Sequence, residues 1–183
     1  GGFMTKILGK NLSKQHLIMA LFCIVYLVGI IGFFASFLRA IWLPMSGLIL
    51  YLTTIGVIAS SKQKGKLLLF LLIAFCIGFA SEVIGVQTGI LFGDYNYGTN
   101  LGFKFLGVPI VIGLLWGVLA VSSASCVAQF PILKKQASFV AALLMLGIDY
   151  IMEPVAIASD FWSWNGAAVP LWNYICWFGI AWI

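Results

Sequence analysis

The sequence predicts an all-α, polytopic integral membrane helical bundle of about six transmembrane helices, and three observations carry that reading. Of 183 residues, 63% are hydrophobic and 8% are charged, against about a quarter charged in soluble domains. Six apolar runs reach or approach the roughly 20 residues that a bilayer core requires. The lysines gather between alternate runs, as they do in loops that share one face of a membrane.

The runs cover residues 17–37, 43–59, 67–92, 106–128, 137–157 and 170–183. The whole chain, 1–183, reads as a single transmembrane domain. Gly1–Phe3 read as an added remnant ahead of a native start at Met4. The second run is near the lower length limit. The last is short and stops inside apolar sequence, which leaves room for a further C-terminal segment. Eight of the ten basic residues (Lys6, Lys10, Lys14, Lys62, Lys64, Lys66, Lys134 and Lys135) fall on one side, and Arg39 and Lys104 fall on the other. The expected topology is multi-pass in the cell (inner) membrane, with a cytoplasmic N-terminus.

Composition excludes several functions. The net charge of +5 does not point to nucleic acid, because the basic residues are scattered between apolar runs. Cys23, Cys76, Cys126 and Cys176 all lie in apolar runs without a CxxC spacing, so they read as small buried residues. His16 is the single histidine and precedes the first span, so no histidine-built metal centre is expected and no metal site is assigned. There is no phosphate-binding glycine loop and no lysine in mid-span. Carboxylic acid chemistry, or proton-coupled transport, remains.

The five carboxylates lie opposite the lysines. Asp94 and Asp160 belong to outer loops, while Glu82, Asp149 and Glu153 lie in the third and fifth helices near their outer ends. At about 1.5 Å per residue, Glu82 is roughly 23 Å from the start of its helix, Glu153 roughly 24 Å from the start of the fifth, and Asp149 one turn deeper. Intramembrane acids are costly and mark a site or pathway. The competing reading for a lone acid is tight packing against a neighbour, and Glu82 does share its face with Gly78, Gly85 and Gly89. Asp149 and Glu153, at i and i+4, point the same way. Two like charges at that spacing in low dielectric do not both ionise cheaply, so one is expected to carry a proton. Pro154 disfavours helical geometry at Glu153 and predicts a break there.

Segments 67–128 and 137–183 read as repeats. Glu82, the Asp94–Gly98 loop, Pro109 and Trp116 are matched in order by Asp149, the Asp160–Trp164 loop, Pro170 and Trp177. Each proline precedes its tryptophan by the same two turns. An axis along the membrane normal would bring the acids to one cavity toward the outer leaflet. Tyr95, Tyr97, Trp162, Trp164, Trp172, Tyr174 and Trp177 serve either as an interfacial belt or as a π-lined pocket that steadies a carbocation. Asn173 shares a face with Pro170 and Trp177.

Glu82-Val-Ile-Gly85-Val-Gln-Thr-Gly89, Phe92-Gly93-Asp94-Tyr95-Asn96-Tyr97-Gly98 and Gly107-Val108-Pro109-Ile110 resemble the membrane carotenoid 1,2-hydratases, a group that includes the bisanhydrobacterioruberin hydratases. Asp149-Tyr-Ile-Met-Glu153-Pro154-Val155-Ala156, Asp160-Phe-Trp162-Ser-Trp164 and Pro170-Leu-Trp-Asn173-Tyr174 are similar to the same family. The resemblance runs from Glu82 to the end; the first two helices match in hydropathy alone. It implies a cofactor-independent hydratase (a hydro-lyase) that adds water across the terminal C1=C2 bond of an acyclic ψ-end group. The implied partners are an acyclic carotenoid (lycopene, γ-carotene or a C50 precursor), water and membrane lipid; a homo-oligomer or other pathway enzymes are the candidate protein partners. The expected catalytic residues are Glu82, Asp149, Glu153 and Asp94, with Asp149 or Glu153 donating the proton and Glu82 or Asp94 handling water. The expected substrate-binding residues are Tyr95, Tyr97, Asp160, Trp162, Trp164, Asn173 and Trp177. A membrane lycopene cyclase would share the protonation step, and a small proton-coupled transporter would use the acids as a relay.

Overall fold

A computed structural model describes residues 14–34, 36–166 and 168–183. Gly1–Phe3, Lys6 and Lys10 lie outside the described residues. Within them are six α-helices: α1 (Lys14–Phe34), α2 (Ser36–Ser60), α3 (Lys64–Thr88), α4 (Ile110–Val127), α5 (Ala137–Ala158) and α6 (Leu171–Trp182). Four short strands lie between them: β1 (Tyr95–Tyr97), β2 (Lys104–Phe105), β3 (Val108–Pro109) and β4 (Trp162–Trp164). Among the described residues four helical stretches are long and apolar enough to cross a membrane: Ile41–Ser60, Lys64–Thr88, Ile110–Val127 and Pro131–Ala158. Against the expected count of about six spans, four reach membrane length among the described residues; Met19–Ile31 is a shorter apolar helix and α6 has 12 residues.

The apolar surface is inverted relative to a soluble protein. Leu69, Leu72 and Ile151 are 59%, 59% and 71% exposed, a distribution that water would penalise and lipid would not. The buried core instead collects Val108, Val111, Ile112, Trp116, Met145 and Trp177, together with the acids. Helix α4 packs on α2, α3 and α5, α6 packs on α5, and α1 packs on α2.

Several boundaries differ from the hydropathy reading. The run 67–92 does not stay helical to its end. Gly89 adopts a left-handed conformation (φ 66°) and its N–H returns to the Gly85 carbonyl at 2.7 Å, which ends α3 at Thr88. The remaining apolar residues fold back, and Phe92 is 1% exposed. The run 106–128 begins at the turn of the β2–β3 hairpin, and its helix starts only at Ile110, after Pro109. Helix α2 begins seven residues before the expected 43, so Arg39 is helical rather than in a loop, and its guanidinium donates to the Ala158 carbonyl at the end of α5. The expected break at Pro154 is absent. The helix runs on to Ala158, because a proline within the last turns removes only one hydrogen bond.

Candidate active site

Glu82 is 3% exposed on α3, yet both of its carboxylate oxygens are occupied. Tyr95 and Tyr97 donate their hydroxyls to Oε2 at 2.5 and 2.7 Å, and the Trp116 indole N–H donates to Oε1 at 3.0 Å. The two tyrosines reach one acid because alternate residues of a strand face the same way; Asn96 between them is exposed. Trp116 reaches it because Gly78, one turn before Glu82, carries no side chain. A β-carbon there would overlap the indole.

Glu153 is held by the same device. The Trp162 and Trp164 indoles donate to its Oε2 at 2.9 and 3.0 Å. Asp149, one turn earlier and 1% exposed, joins it through Asn173, whose Nδ2 lies 3.2 Å from Asp149 Oδ2 and 3.5 Å from Glu153 Oε1. The loops carrying these donors pair with each other. Strands β1 and β4 are antiparallel, with Tyr95 opposite Trp164 and Tyr97 opposite Trp162. Their tight approach depends on Gly98, where a β-carbon would run into the Asp160 backbone. Trp116 and Trp177 stack beneath.

Between these groups lies a cavity of about 20 Å³, lined by Glu82, Asp149, Glu153, Tyr97, Trp162 and Asn173 among others. One water molecule needs about 10–15 Å³ on this measure. Burial, and then the Glu82 carboxylate, hold the Tyr95 and Tyr97 phenols above their ordinary pKa, so both remain hydrogen-bond donors to the acid at physiological pH. A second, apolar chamber of about 400 Å³ adjoins the first and shares Ile112, Leu115 and Trp162 with it.

The structure gathers Glu82, Asp149, Glu153, Tyr95, Tyr97, Trp162, Trp164, Asn173 and Trp177 around one cavity. Asp94 and Asp160 are exposed and do not line it. Asp94 falls on the outward parity of β1, alongside Asn96, and Asp160 occupies a left-handed turn (φ 53°) after α5. Trp116 is the contact missing from the expected site. Its step of seven from Pro109, which parallels Pro170 and Trp177, was the available signal. Ile112, Leu115 and Phe92 also line the cavity and carry no sequence mark beyond hydrophobicity. Among the described residues, no three His, Cys, Asp or Glu side chains are grouped as metal ligands are.

The family model described as carotenoid biosynthesis protein matches residues 43–183. The chain belongs to the carotenoid biosynthesis protein family. The matched stretch contains every residue of the acid cavity and leaves out α1. Bisanhydrobacterioruberin hydratase of Haloarcula japonica is 28% identical over 131 residues, which is 67% of this chain and 44% of that protein. The chain therefore spans less than half the length of this curated relative. No solved structure matches it.

Proposed function

We propose that the chain is a carotenoid 1,2-hydratase that converts an acyclic ψ-end group into a tertiary 1-hydroxy end. The observation that carries this reading is three buried carboxyl groups around a cavity with volume for one water, beside an apolar chamber. A cyclase would need the same acid but no room for water at the cation.

Asp149 is the proton donor in this reading. Glu82 accepts from three donors, and the Oε2 of Glu153 faces two indole N–H groups, which only donate. Among the described residues Asp149 accepts from Asn173 alone, which leaves its other oxygen to carry the proton. That proton passes to C2, and the alkene π pair forms the new C–H bond, leaving a tertiary cation at C1. The faces of Trp162, Trp164 and Trp177 and the nearby carboxylates steady it. A water lone pair closes the C1–O bond, Glu82 accepts the water's proton, and after the product leaves, the next water to enter the cavity relays that proton to Asp149. Alkene and water become alcohol with no net change in the protein. Asp94, exposed outside the cavity, has no part in these steps.

The test is product analysis from lycopene-accumulating cells that express the chain. In deuterated, oxygen-18 water the product should gain one non-exchangeable deuterium at C2 and the heavy oxygen at C1. A cyclised product of unchanged mass assigns the cyclase instead, and oxygen taken from molecular oxygen sinks the hydration mechanism.

A further inference from the structure

The acid cavity, at about 20 Å³, is far too small for an isoprenoid end group, so the substrate must approach through a neighbouring space. The apolar chamber of about 400 Å³ is formed by α1, α2, α4 and α5. Its wall toward the acids consists of Ile112, Leu115 and Trp162, the three residues it shares with the acid cavity. Its lining is almost wholly apolar; Ser46 returns its hydroxyl to its own helix at the Trp42 carbonyl, 3.5 Å away. At the far side Tyr26 closes it, bonded to Thr53 at 2.7 Å. Ile30 and Val155 line the chamber from α1 and α5 and are 56% and 47% exposed, so it opens sideways between those two helices.

We propose that this chamber binds the polyene chain of the substrate, which enters from lipid between α1 and α5 and passes its terminal double bond over Ile112, Leu115 and Trp162 to the acids. The inference rests on the hydratase reading for the identity of the chain, but not for the place it occupies. An uncharged, rod-like isoprenoid suits the site, because the chamber offers mostly apolar contact along its length, its Tyr26 and Ser46 hydroxyls are engaged with Thr53 and the Trp42 carbonyl, and carboxyl groups lie only beyond the wall it shares with the acid cavity. It also gives α1 a purpose: α1 lies outside the matched family region, yet supplies Val25, Gly29 and Ile30 to the wall.

Gly29 allows a direct test, since a β-carbon there meets nothing within 4 Å. Gly29→Phe fills the chamber without touching the acids. Gly147→Phe is the matched control: it too has open space at its β-carbon, but it is exposed and outside the chamber. Each chain is purified from lycopene-accumulating cells. Retained lycopene is read by absorbance and hydrated product by mass, and melting temperature reports folding. Gly29→Phe should lower retention and product about tenfold, as overfilling a packed site does, while Gly147→Phe leaves both at the wild-type level. Ser46→Leu replaces Gly29→Phe if the latter melts early, with the same outcome expected. Retention lost in Gly29→Phe, with no hydrated product from any chain, upholds the chamber and defeats the hydratase reading. Unchanged retention and product in the folded variants overturn the chamber, as does wild-type protein that holds phospholipid acyl chains there and no lycopene.

Discussion

The indole rings of Trp116 and Trp177 lie face to face, with centroids 3.9 Å apart and planes 12° from parallel. Each follows a helix-starting proline by seven residues, Pro109 in one case and Pro170 in the other. Above them, β1 and β4 pair antiparallel about Asn96 and Ser163. These contacts support the proposal that the two hairpins are repeats facing each other across a local axis. In that alignment Glu82 matches Glu153, since each receives two donors from alternate residues of its following strand. Sequence order alone matches Glu82 with Asp149 instead; in the structural alignment Asp149, one turn before Glu153, has Gly78 as its counterpart.

The two stacked tryptophans should therefore differ in function. Trp116→Phe keeps a ring for stacking but deletes the N–H that reaches Glu82, a hydrogen bond worth about 1.5–3 kcal/mol when the acceptor is charged. Product formation should fall at least about tenfold. Trp177→Phe has no such bond to lose and should cost less, within the roughly 0.5–1.5 kcal/mol of an aromatic pair. Initial rates in membranes decide it, and equal losses would count against Glu82 as the group that handles water.

Asp149→Asn should abolish product, because an amide cannot deliver a proton to an alkene. Removing a general acid costs about 10²–10⁴-fold. Glu153→Gln should be nearly as severe, since it removes half of the pair that Asn173 bridges. Both variants should melt near the wild-type temperature, because each amide is close in shape to the acid it replaces and adds no buried charge. Full turnover in the two amide chains would defeat the carboxylic-acid mechanism.

Gly98→Ala should loosen the site without altering any of its acids. The added methyl collides with the Asp160 backbone, beside the Gly98 N–H to Phe161 carbonyl bond of 2.9 Å. A strain of about 1–3 kcal/mol corresponds to a drop of roughly 2–12 °C in Tm for a chain of this size. Gly65→Ala, where an added β-carbon meets nothing within 4 Å, is the neutral comparison. A thermal melt in detergent distinguishes the two.

The orientation proposed from the lysines predicts opposite labelling at two exposed positions, Gln63 and Asn96. In intact cells a membrane-impermeant maleimide should modify Asn96→Cys, and should reach Gln63→Cys only after permeabilisation. Labelling of Gln63→Cys from outside would reverse the topology and place the acids on the cytoplasmic side.

What the sequence determined by itself is whatever depends on counting along a chain. Apolar runs of membrane length, the clustering of lysines between alternate runs, and the similar depth of Glu82, Asp149 and Glu153 all follow from residue order and the rise of a helix. The aromatic residues after each acid helix were legible as a set, an interfacial belt or a cation-steadying pocket, but not as hydrogen-bond donors to the acids. Only the tertiary structure decided which acid each pair serves, because a hydrogen bond depends on the approach of two backbones and not on sequence spacing. That approach is set by absent side chains, Gly78 beneath Trp116 and Gly98 against Asp160. It likewise turned Asp94 outward by strand parity and ended α3 at a left-handed Gly89 before the apolar run is over, where hydropathy alone holds no record of backbone direction.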